Sequence, residues 1–373
     1  MTGFSRRVAG VSISGIREVF EAAGPDAINL GLGQPDFDAP DHVHTAAVDA
    51  IQSGIADGYT FNRGTEGLRA AIRAKHARDN GVDMPDGSVI VTAGGSEALH
   101  IALEAHVDPG EEVIFPNPGF VSYDALTRIA GGTPRPLTLR SDLTLDPADV
   151  EAAITDDTAA FIINSPANPT GAVQSPDDMR AFARIADEHD VLCISDEVYE
   201  HIIYDGEHVS PMRHAESDNV VVVHSCSKTF SMTGWRLGWV LADPSRTEQM
   251  LKVHQYAQAC ASAPAQYAAE AALTGPQDVV DEMVAAFERR RDLVVEGLED
   301  IGLEVPRPGG AFYAMPKVPD GWVDAVIDRG VIVVPGEAFG AAGEGYARIS
   351  YAADEADIET AIDVFAAAAD DVA

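Results

Sequence analysis

The chain of 373 residues has little lysine and a large deficit of basic residues. Only four of its 25 basic residues are lysines, and 60 acidic residues leave a formal net charge of −35. So large an acidic excess excludes nucleic-acid binding through a basic surface. It indicates instead a halophilic protein, because molar salt shortens the screening length to about 3 Å and relieves the repulsion among carboxylates.

Cysteine is also rare, and no apolar run approaches the 18 or more residues of a membrane span. An odd number of cysteines in a long chain argues against a disulfide framework and for a reducing compartment, so we expect a cytoplasmic protein. The cysteines are Cys193, Cys226 and Cys260. With 46% hydrophobic residues, the chain can bury a substantial core, and its length suggests about two domains.

Two arginines near the start, Arg6 and Arg7, resemble the opening of one class of export signal. The apolar stretch that follows them ends at Arg17 and Glu18 and continues as a predicted amphipathic helix into Ala23. Because the cleavage pattern of a signal is missing, we expect no export.

From residue 88 onward, short β-branched segments alternate with longer helical ones. The segments 158–164, 191–197, 221–225 and 237–242 are predicted strands that are apolar on both faces, which indicates a sheet covered by helices on both sides. The last third of the chain differs. A long predicted helix over about 278–300 is followed by short runs and a final helix after Asp354, which indicates a smaller α+β domain.

Lys228 lies in HSCSKTFSMTGWRLGW, directly after the predicted strand VVVHS. A desolvated lysine near other cations has a lowered pKa and can form an imine with a carbonyl. Ser225, Ser227, Thr229 and Arg236 supply donors suited to a phosphate. The alternative is a solvated loop lysine.

Three other segments place polar groups where predicted strands end. Asn168 follows one strand in FIINSPANPTGAV, and Asp196 and Tyr199 follow another in CISDEVYE. Residues at such ends line the ligand crevice of an open α/β sheet. Asp196 is suited to hold a pyridinium nitrogen protonated, although a helix N-cap is its alternative role. The third segment, Gly94-Gly95-Ser96, opens a predicted helix and offers an anion site, or only a tight turn.

Together these segments resemble the class I/II aminotransferases of fold type I, which depend on pyridoxal 5'-phosphate and include aspartate aminotransferase. The resemblance runs in the family's order through LGLGQPDF, YTFNRGTEGLR, TAGGSEAL, NSPANPTG, SDEVYE, SCSKTFSMTGWRLG, PGGAFY and YARIS. It implies a large, doubly wound, mostly parallel seven-stranded sheet domain and a smaller α+β domain. The implied division is an N-terminal arm and small-domain segment over 1–40, a cofactor-binding domain over 41–285 and a small C-terminal domain over 286–373.

The resemblance also implies roles for individual residues in a ping-pong transamination between amino acids and 2-oxo acids. Lys228 becomes the Schiff-base lysine and proton shuttle, and Asp196 the partner of the pyridine nitrogen. Tyr199 and Asn168 hold the phenolic oxygen of the cofactor, and Arg348 and the backbone of Gly33 bind the substrate α-carboxylate. The phosphate is assigned to Gly95, Ser96, Ser225 and Arg236, with Tyr59 reaching it from the neighbouring subunit of a homodimer.

The same resemblance places Phe120 and Val198 on opposite faces of the cofactor ring. Many relatives carry Trp or Tyr where this chain has Phe120, so the ring keeps a stacking surface without a polar edge. The effect of that difference on substrate choice stays open, as does the identity of the amino donor. Taken alone, Phe120 is more typical of a core residue than of a cofactor contact.

Several other functions are alternatives to transamination. A β-lyase or related lyase on the same fold shares these motifs and stays the alternative. A dinucleotide oxidoreductase needs G-x-G-x-x-G, and GLGQPD offers only two of the glycines. A regulator built on this fold would carry a DNA-binding module, and the chain has no basic extension. Acidic and histidine side chains at Asp36, Asp38, His42 and His44 are expected to form a polar loop and no metal site.

Overall fold

A computed structural model describes residues 3–12 and 27–372 of the chain. The predicted helix between Arg17 and Ala23 lies outside these residues. Within them, no helix is long and apolar enough to cross a membrane.

The centre of the large domain is a sheet of seven strands in the order β2-β8-β7-β6-β5-β3-β4. All neighbouring pairs are parallel except those that β8 makes with β2 and β7. The strands are β2 (Val89–Thr92), β3 (Glu112–Asn117), β4 (Thr133–Thr138), β5 (Thr158–Asn164), β6 (Leu192–Asp196), β7 (Val220–Ser225) and β8 (Gly238–Leu241). The predicted seven-stranded, mostly parallel sheet is confirmed.

Helices cover both faces of this sheet, because its central strands bury side chains on either side. One buried apolar cluster contains Ile163 and Val222, and another contains Ile162 and Val223. The helices of the described chain are α1 (Arg6–Ala9), α2 (Asp41–Gln52), α3 (Glu66–Lys75), α4 (Gly95–His106), α5 (Ser122–Ala130), α6 (Pro147–Ala153), α7 (Pro176–His189), α8 (Cys226–Thr229), α9 (Pro244–Ala257), α10 (Ala263–Thr274), α11 (Asp278–Asp300), α12 (Trp322–Asp328) and α13 (Glu355–Val372).

Two small sheets and a third apolar cluster join the C-terminal residues to the segment that begins at Ile28. One sheet pairs β1 (Ile28–Asn29) in parallel with β10 (Val331–Ile332). The other has β12 (Ala347–Ser350) between β11 (Val334–Pro335) and β9 (Tyr313–Ala314), in antiparallel pairs. The apolar segment VIVVP over residues 331–335 therefore divides between the two sheets. The division at 285/286 stays a prediction, and α11 runs through it.

Candidate active site

One cavity, of about 290 Å³, lies where β5, β6 and β7 end and α4 begins. The topology explains its place, since parallel strands direct their carboxyl ends to the same edge of the sheet. Most of the residues predicted from the sequence for the site line it, namely Gly33, Gly95, Ser96, Phe120, Asn168, Asp196, Val198, Tyr199, Ser225, Lys228, Arg236 and Arg348. Tyr59 does not line it, and is 91% exposed.

Lys228 belongs to α8, a single turn that begins where β7 ends. The Ser225 hydroxyl accepts a hydrogen bond from the Ser227 amide, at 3.1 Å, and so starts the turn. The Lys228 Nζ donates to the backbone carbonyl of Gly33. Burial, together with the positive charges of Arg348 and Arg236, lowers the pKa of Lys228 to about 8. The amine therefore loses its proton far more readily than an exposed lysine does.

Asp196 is the last residue of β6 and is buried beside the cavity. The Tyr123 hydroxyl donates to its Oδ2 at 2.9 Å, and the Val198 amide donates to its Oδ1 at 3.4 Å. Burial raises the pKa of Asp196 to about 6, although these hydrogen bonds favour the ionised form. A buried carboxylate of this kind is stabilised by a cation placed next to it.

The opposite wall has the features of an anion site. Helix α4 starts at Gly95, after Gly94 with φ 84°, and no side chain caps its first amides. Arg236 adopts a left-handed φ of 53°, which is uncommon for a residue other than glycine, and its guanidinium lies beside Gly94. A Cβ at Gly238 would lie 2.7 Å from the Gly95 nitrogen, so β8 can approach the helix start only with glycine there. These amides and Arg236 suit a phosphate.

Arg348 is carried by β12 and is 2% exposed. Its Nη1 donates to Asn168 Oδ1 at 3.0 Å, and its guanidinium carbon lies 4.7 Å from the ring centroids of both Tyr313 and Phe339. Its Nε is buried without a hydrogen-bond partner, and none of the ion pairs among the described residues includes Arg348. A buried guanidinium without a carboxylate is poised to bind one from a ligand.

Some residues of the site escaped the sequence analysis. The hydroxyls of Tyr199 and Tyr313 are hydrogen-bonded at 2.8 Å, and Asn164 Oδ1 accepts from the Asn168 amide at 2.8 Å. Tyr313 lies 114 residues from Tyr199 and Tyr123 lies 73 from Asp196, so no local spacing connects them. The one sequence signal for Tyr313 is that it ends PGGAFY, a segment that resembles the aminotransferase family.

The acidic and histidine residues of the 36–44 segment lie outside this cavity. Both Nη atoms of Arg290 donate to the Asp36 carboxylate, at 2.8 and 2.9 Å. The His44 ring stacks on Trp235 with 5.7 Å between centroids. Asp36 and His44 thus have structural partners. The expectation of a polar loop was wrong for His42 and His44, which lie in α2.

The donor set fits pyridoxal 5'-phosphate. It combines a buried amine of lowered pKa, a buried carboxylate, an uncapped helix start with an arginine for a phosphate, and a separate buried arginine for a carboxylate. Phe120 and Val198 add apolar surface to the wall between these groups.

Comparisons with known proteins agree with this geometry. The family model described as aminotransferase class I and II matches residues 25–365. A probable aspartate aminotransferase of Methanocaldococcus jannaschii is 41% identical, with 96% of this chain and 98% of that protein covered. An aromatic-amino-acid aminotransferase of Thermococcus litoralis is 38% identical, with 96% of each covered. The solved aspartate aminotransferase of Thermus thermophilus with maleate matches with a TM-score of 0.94 at 37% identity, over 99% of this chain and all of that one.

Proposed function

The chain belongs to the class I and II aminotransferase family, and we propose that its cavity holds pyridoxal 5'-phosphate bound covalently to Lys228. The enzyme is a transaminase that moves an amino group between an amino acid and a 2-oxo acid. The observation that carries the assignment of the site is the convergence of Lys228, Asp196, Arg236 and Arg348 on one cavity. When bound, the cofactor supplies the electron sink that makes the substrate Cα–H bond acidic.

Residues of the chain bind the substrate, transfer the proton and hold the cofactor. Arg348 binds the substrate α-carboxylate through paired N–H groups, and Asn168 holds Arg348 in place. Lys228, with its pKa lowered to about 8, accepts the α-proton and returns it. Asp196, held by Tyr123, keeps a proton on the ring nitrogen of the cofactor. Arg236, Ser225 and the first amides of α4 bind the phosphate.

A turnover assay separates transamination from the lyase alternative. A panel of amino donors is incubated in molar KCl with and without 2-oxoglutarate or pyruvate, and the new amino acid, the new oxo acid and ammonia are quantified. Transamination requires the acceptor and forms one new amino acid for each donor consumed. Ammonia released from the donor without any acceptor would establish the lyase instead.

We propose a homodimer in which Tyr59 serves the neighbouring site. Large apolar side chains are exposed near Tyr59, among them Phe61 at 75% and Tyr256 at 89%. The Asn62 side chain donates to the Ala259 carbonyl, which ties the 59–62 segment to the end of α9. Arg63, which follows this segment, points into the protein, where its Nη1 donates to the Gly87 carbonyl at 2.7 Å. The exposed aromatic surface is therefore suited to a second copy of the chain.

For Tyr59→Ala we expect a dimer that binds the cofactor about 10-fold more weakly, because one hydrogen bond to a charged phosphate is lost. Light scattering measures the mass, and equilibrium dialysis measures cofactor affinity. The more direct measurement mixes Tyr59→Ala with Lys228→Ala subunits. Each hybrid dimer should contain one site with both Lys228 and Tyr59, one from each subunit, and should therefore recover activity. A fully active monomer of 39.4 kDa would contradict the proposal.

We also propose that the enzyme is halophilic. At a formal charge of −35, screening stabilises the folded state by weakening repulsion among surface carboxylates. We expect the melting temperature to rise by more than about 5 °C from 0.1 to 3 M KCl. Sucrose of equal osmolality is the control, since it favours compactness without screening. A flat melting profile in KCl, or an equal rise in sucrose, would contradict this proposal.

The proposed location is the cytoplasm. It is supported by the cysteines, which are all unpaired, with Cys193 and Cys226 buried. Burial raises the pKa of the Cys226 thiol to about 12, so this neighbour of the active lysine is unreactive.

A further inference from the structure

Beside the cavity, but not lining it, lies a buried group of ionisable side chains that we call the carboxylate cluster. It consists of Glu197, Glu200, Lys75, His208 and His224, and the side chains of all five are no more than 8% exposed. Such burial is costly for charged groups unless each finds a partner. The partners here come from separate parts of the large domain.

Glu197 has a hydrogen-bond donor on each oxygen. Its Oε1 accepts from the hydroxyls of Ser195, at 2.8 Å, and Ser210, at 2.7 Å. Its Oε2 lies 3.0 Å from His208 Nε2 and 3.5 Å from His224 Nε2. Burial alone would raise the pKa of Glu197, but the two histidines hold that pKa below its usual range. The carboxylate is therefore ionised and fixed from several directions.

Glu197 and Glu200 lie at the two ends of one turn, over residues 197–200, and Glu200 anchors its second end. Lys75, at the end of α3, pairs with its Oε1, and Asn80 Nδ2 donates to its Oε2 at 2.9 Å. The Glu200 amide donates to the Glu197 carbonyl at 3.1 Å, which closes the turn. Both carboxylates of the cluster thus hold residues 197–200 to the surrounding core.

The residues between and beside these anchors are the ones that face the cavity. Asp196, Val198 and Tyr199 line it, whereas Glu197 and Glu200 do not. The Glu197 amide also donates to the Val223 carbonyl of β7 at 2.9 Å. Because Asp196 directly precedes Glu197 and Tyr199 directly precedes Glu200, the two anchors restrict the backbone that carries both of these side chains. The glutamates therefore hold the turn in place, whereas the residues next to them face the cavity.

We propose that Glu197 is a positioning residue for transamination, whose hydrogen bonds to Ser195 and Ser210 fix the turn that presents Asp196 and Tyr199 to the cofactor. The proposal rests on the function proposed above. Small displacements of catalytic groups cost large factors in rate, because the aligned geometry is part of the lowered barrier. Glu197 itself touches neither substrate nor cofactor.

The test compares Glu197→Ala with Glu197→Gln in the holoenzyme. The Gln side-chain oxygen can still accept from both serines, whereas Ala leaves both hydroxyls without their acceptor. We expect kcat to fall about 30-fold for Ala and less than about 5-fold for Gln, with KM within about 3-fold for both. The visible circular dichroism of the bound cofactor, which reports its orientation and not turnover, should fall for Ala and persist for Gln.

A control variant removes an ion pair whose residues belong neither to the cavity lining nor to the carboxylate cluster. Asp178→Ala breaks the contacts of Arg140 Nη1, at 3.0 Å, and Nη2 with the Asp178 carboxylate. It should lower the melting temperature while leaving kcat and the dichroism unchanged. If Glu197→Ala fails to fold, Ser210→Ala removes a single donor to Glu197 and should lower kcat about 3-fold with a matching loss of dichroism.

Two results would overturn the proposal. In one, Glu197→Ala keeps kcat and dichroism within about 2-fold of wild type while its melting temperature falls, as for the control. In the other, Gln loses as much as Ala, which would assign the effect to charge and not to the serine hydrogen bonds. A wild type that does not transaminate would instead refute the proposed function, and the two failures are thereby distinguished.

Discussion

Lys228→Ala is expected to fold, to retain affinity for pyridoxal 5'-phosphate and to lose transamination by about 10⁴-fold or more, because the covalent attachment and the proton transfer both depend on one amine. The phosphate contacts remain in this variant, since Arg236, Ser225 and the start of α4 are unchanged. The measurement is kcat/KM with the donor and acceptor that the panel identifies.

The structure explains why this lysine and no other should have that effect. Of the remaining lysines, Lys252 and Lys317 have exposed partners, Gln249 and Glu304, and Lys75 belongs to the carboxylate cluster. Lys252→Ala is the matched control and should leave kcat/KM within about 2-fold of wild type. A Lys228→Ala enzyme with more than about one-tenth of wild-type activity would contradict the assignment.

Arg348→Lys is expected to lower kcat/KM by about 100-fold for every amino acid and 2-oxo acid, whatever its side chain. The substitution keeps a positive charge but loses the planar pair of N–H donors that matches a carboxylate. A 100-fold loss corresponds to about 2.7 kcal/mol of transition-state stabilisation. The effect should be uniform across substrates because all of them share the α-carboxylate.

The alternative for Arg348 is a structural ion pair, and its surroundings favour the substrate role. Its described contacts are the neutral oxygens of Asn168 and Gly31 and two aromatic rings, with no carboxylate among them. Arg140→Lys is the control, since Arg140 does pair with carboxylates, those of Asp146 and Asp178. An Arg348→Lys enzyme that melts at a lower temperature, yet keeps kcat/KM within a few-fold, would establish the structural role.

Most of the large sheet could be predicted from the sequence, because its strands are uninterrupted apolar runs. The segment 158–164 is β5 with the same bounds, and the helix expected over about 278–300 is α11. Strand β4 was not predicted. Its sequence, TPRPLT, contains two prolines, which a central strand would exclude, but β4 lies at the sheet edge and pairs only with β3.

The site shows the same division. Some of its residues lie in recognisable local motifs, whereas other contacts form only because the fold brings distant segments together. Motifs at strand ends pointed to Lys228 and Asp196, because Asp196 ends one buried strand and Lys228 lies three residues after the end of another. The Tyr123 hydroxyl on Asp196 and the His208 imidazole on Glu197 could not be predicted, since each contact joins segments that lie apart in sequence. SDEVYE was expected to contribute Asp196 and Tyr199, and nothing in that segment marked Glu197 and Glu200 as buried partners of the histidines and Lys75.

The most direct test of the proposed site is to identify the residue that carries the cofactor. The holoenzyme, prepared in molar KCl, is reduced with borohydride, digested and mapped by mass spectrometry, with Lys228→Ala treated in parallel. The proposed covalent attachment requires one phosphopyridoxyl group per chain on Lys228 and none on the variant. A label on Lys75, Lys252 or Lys317, or no label on a wild type that transaminates, would contradict it.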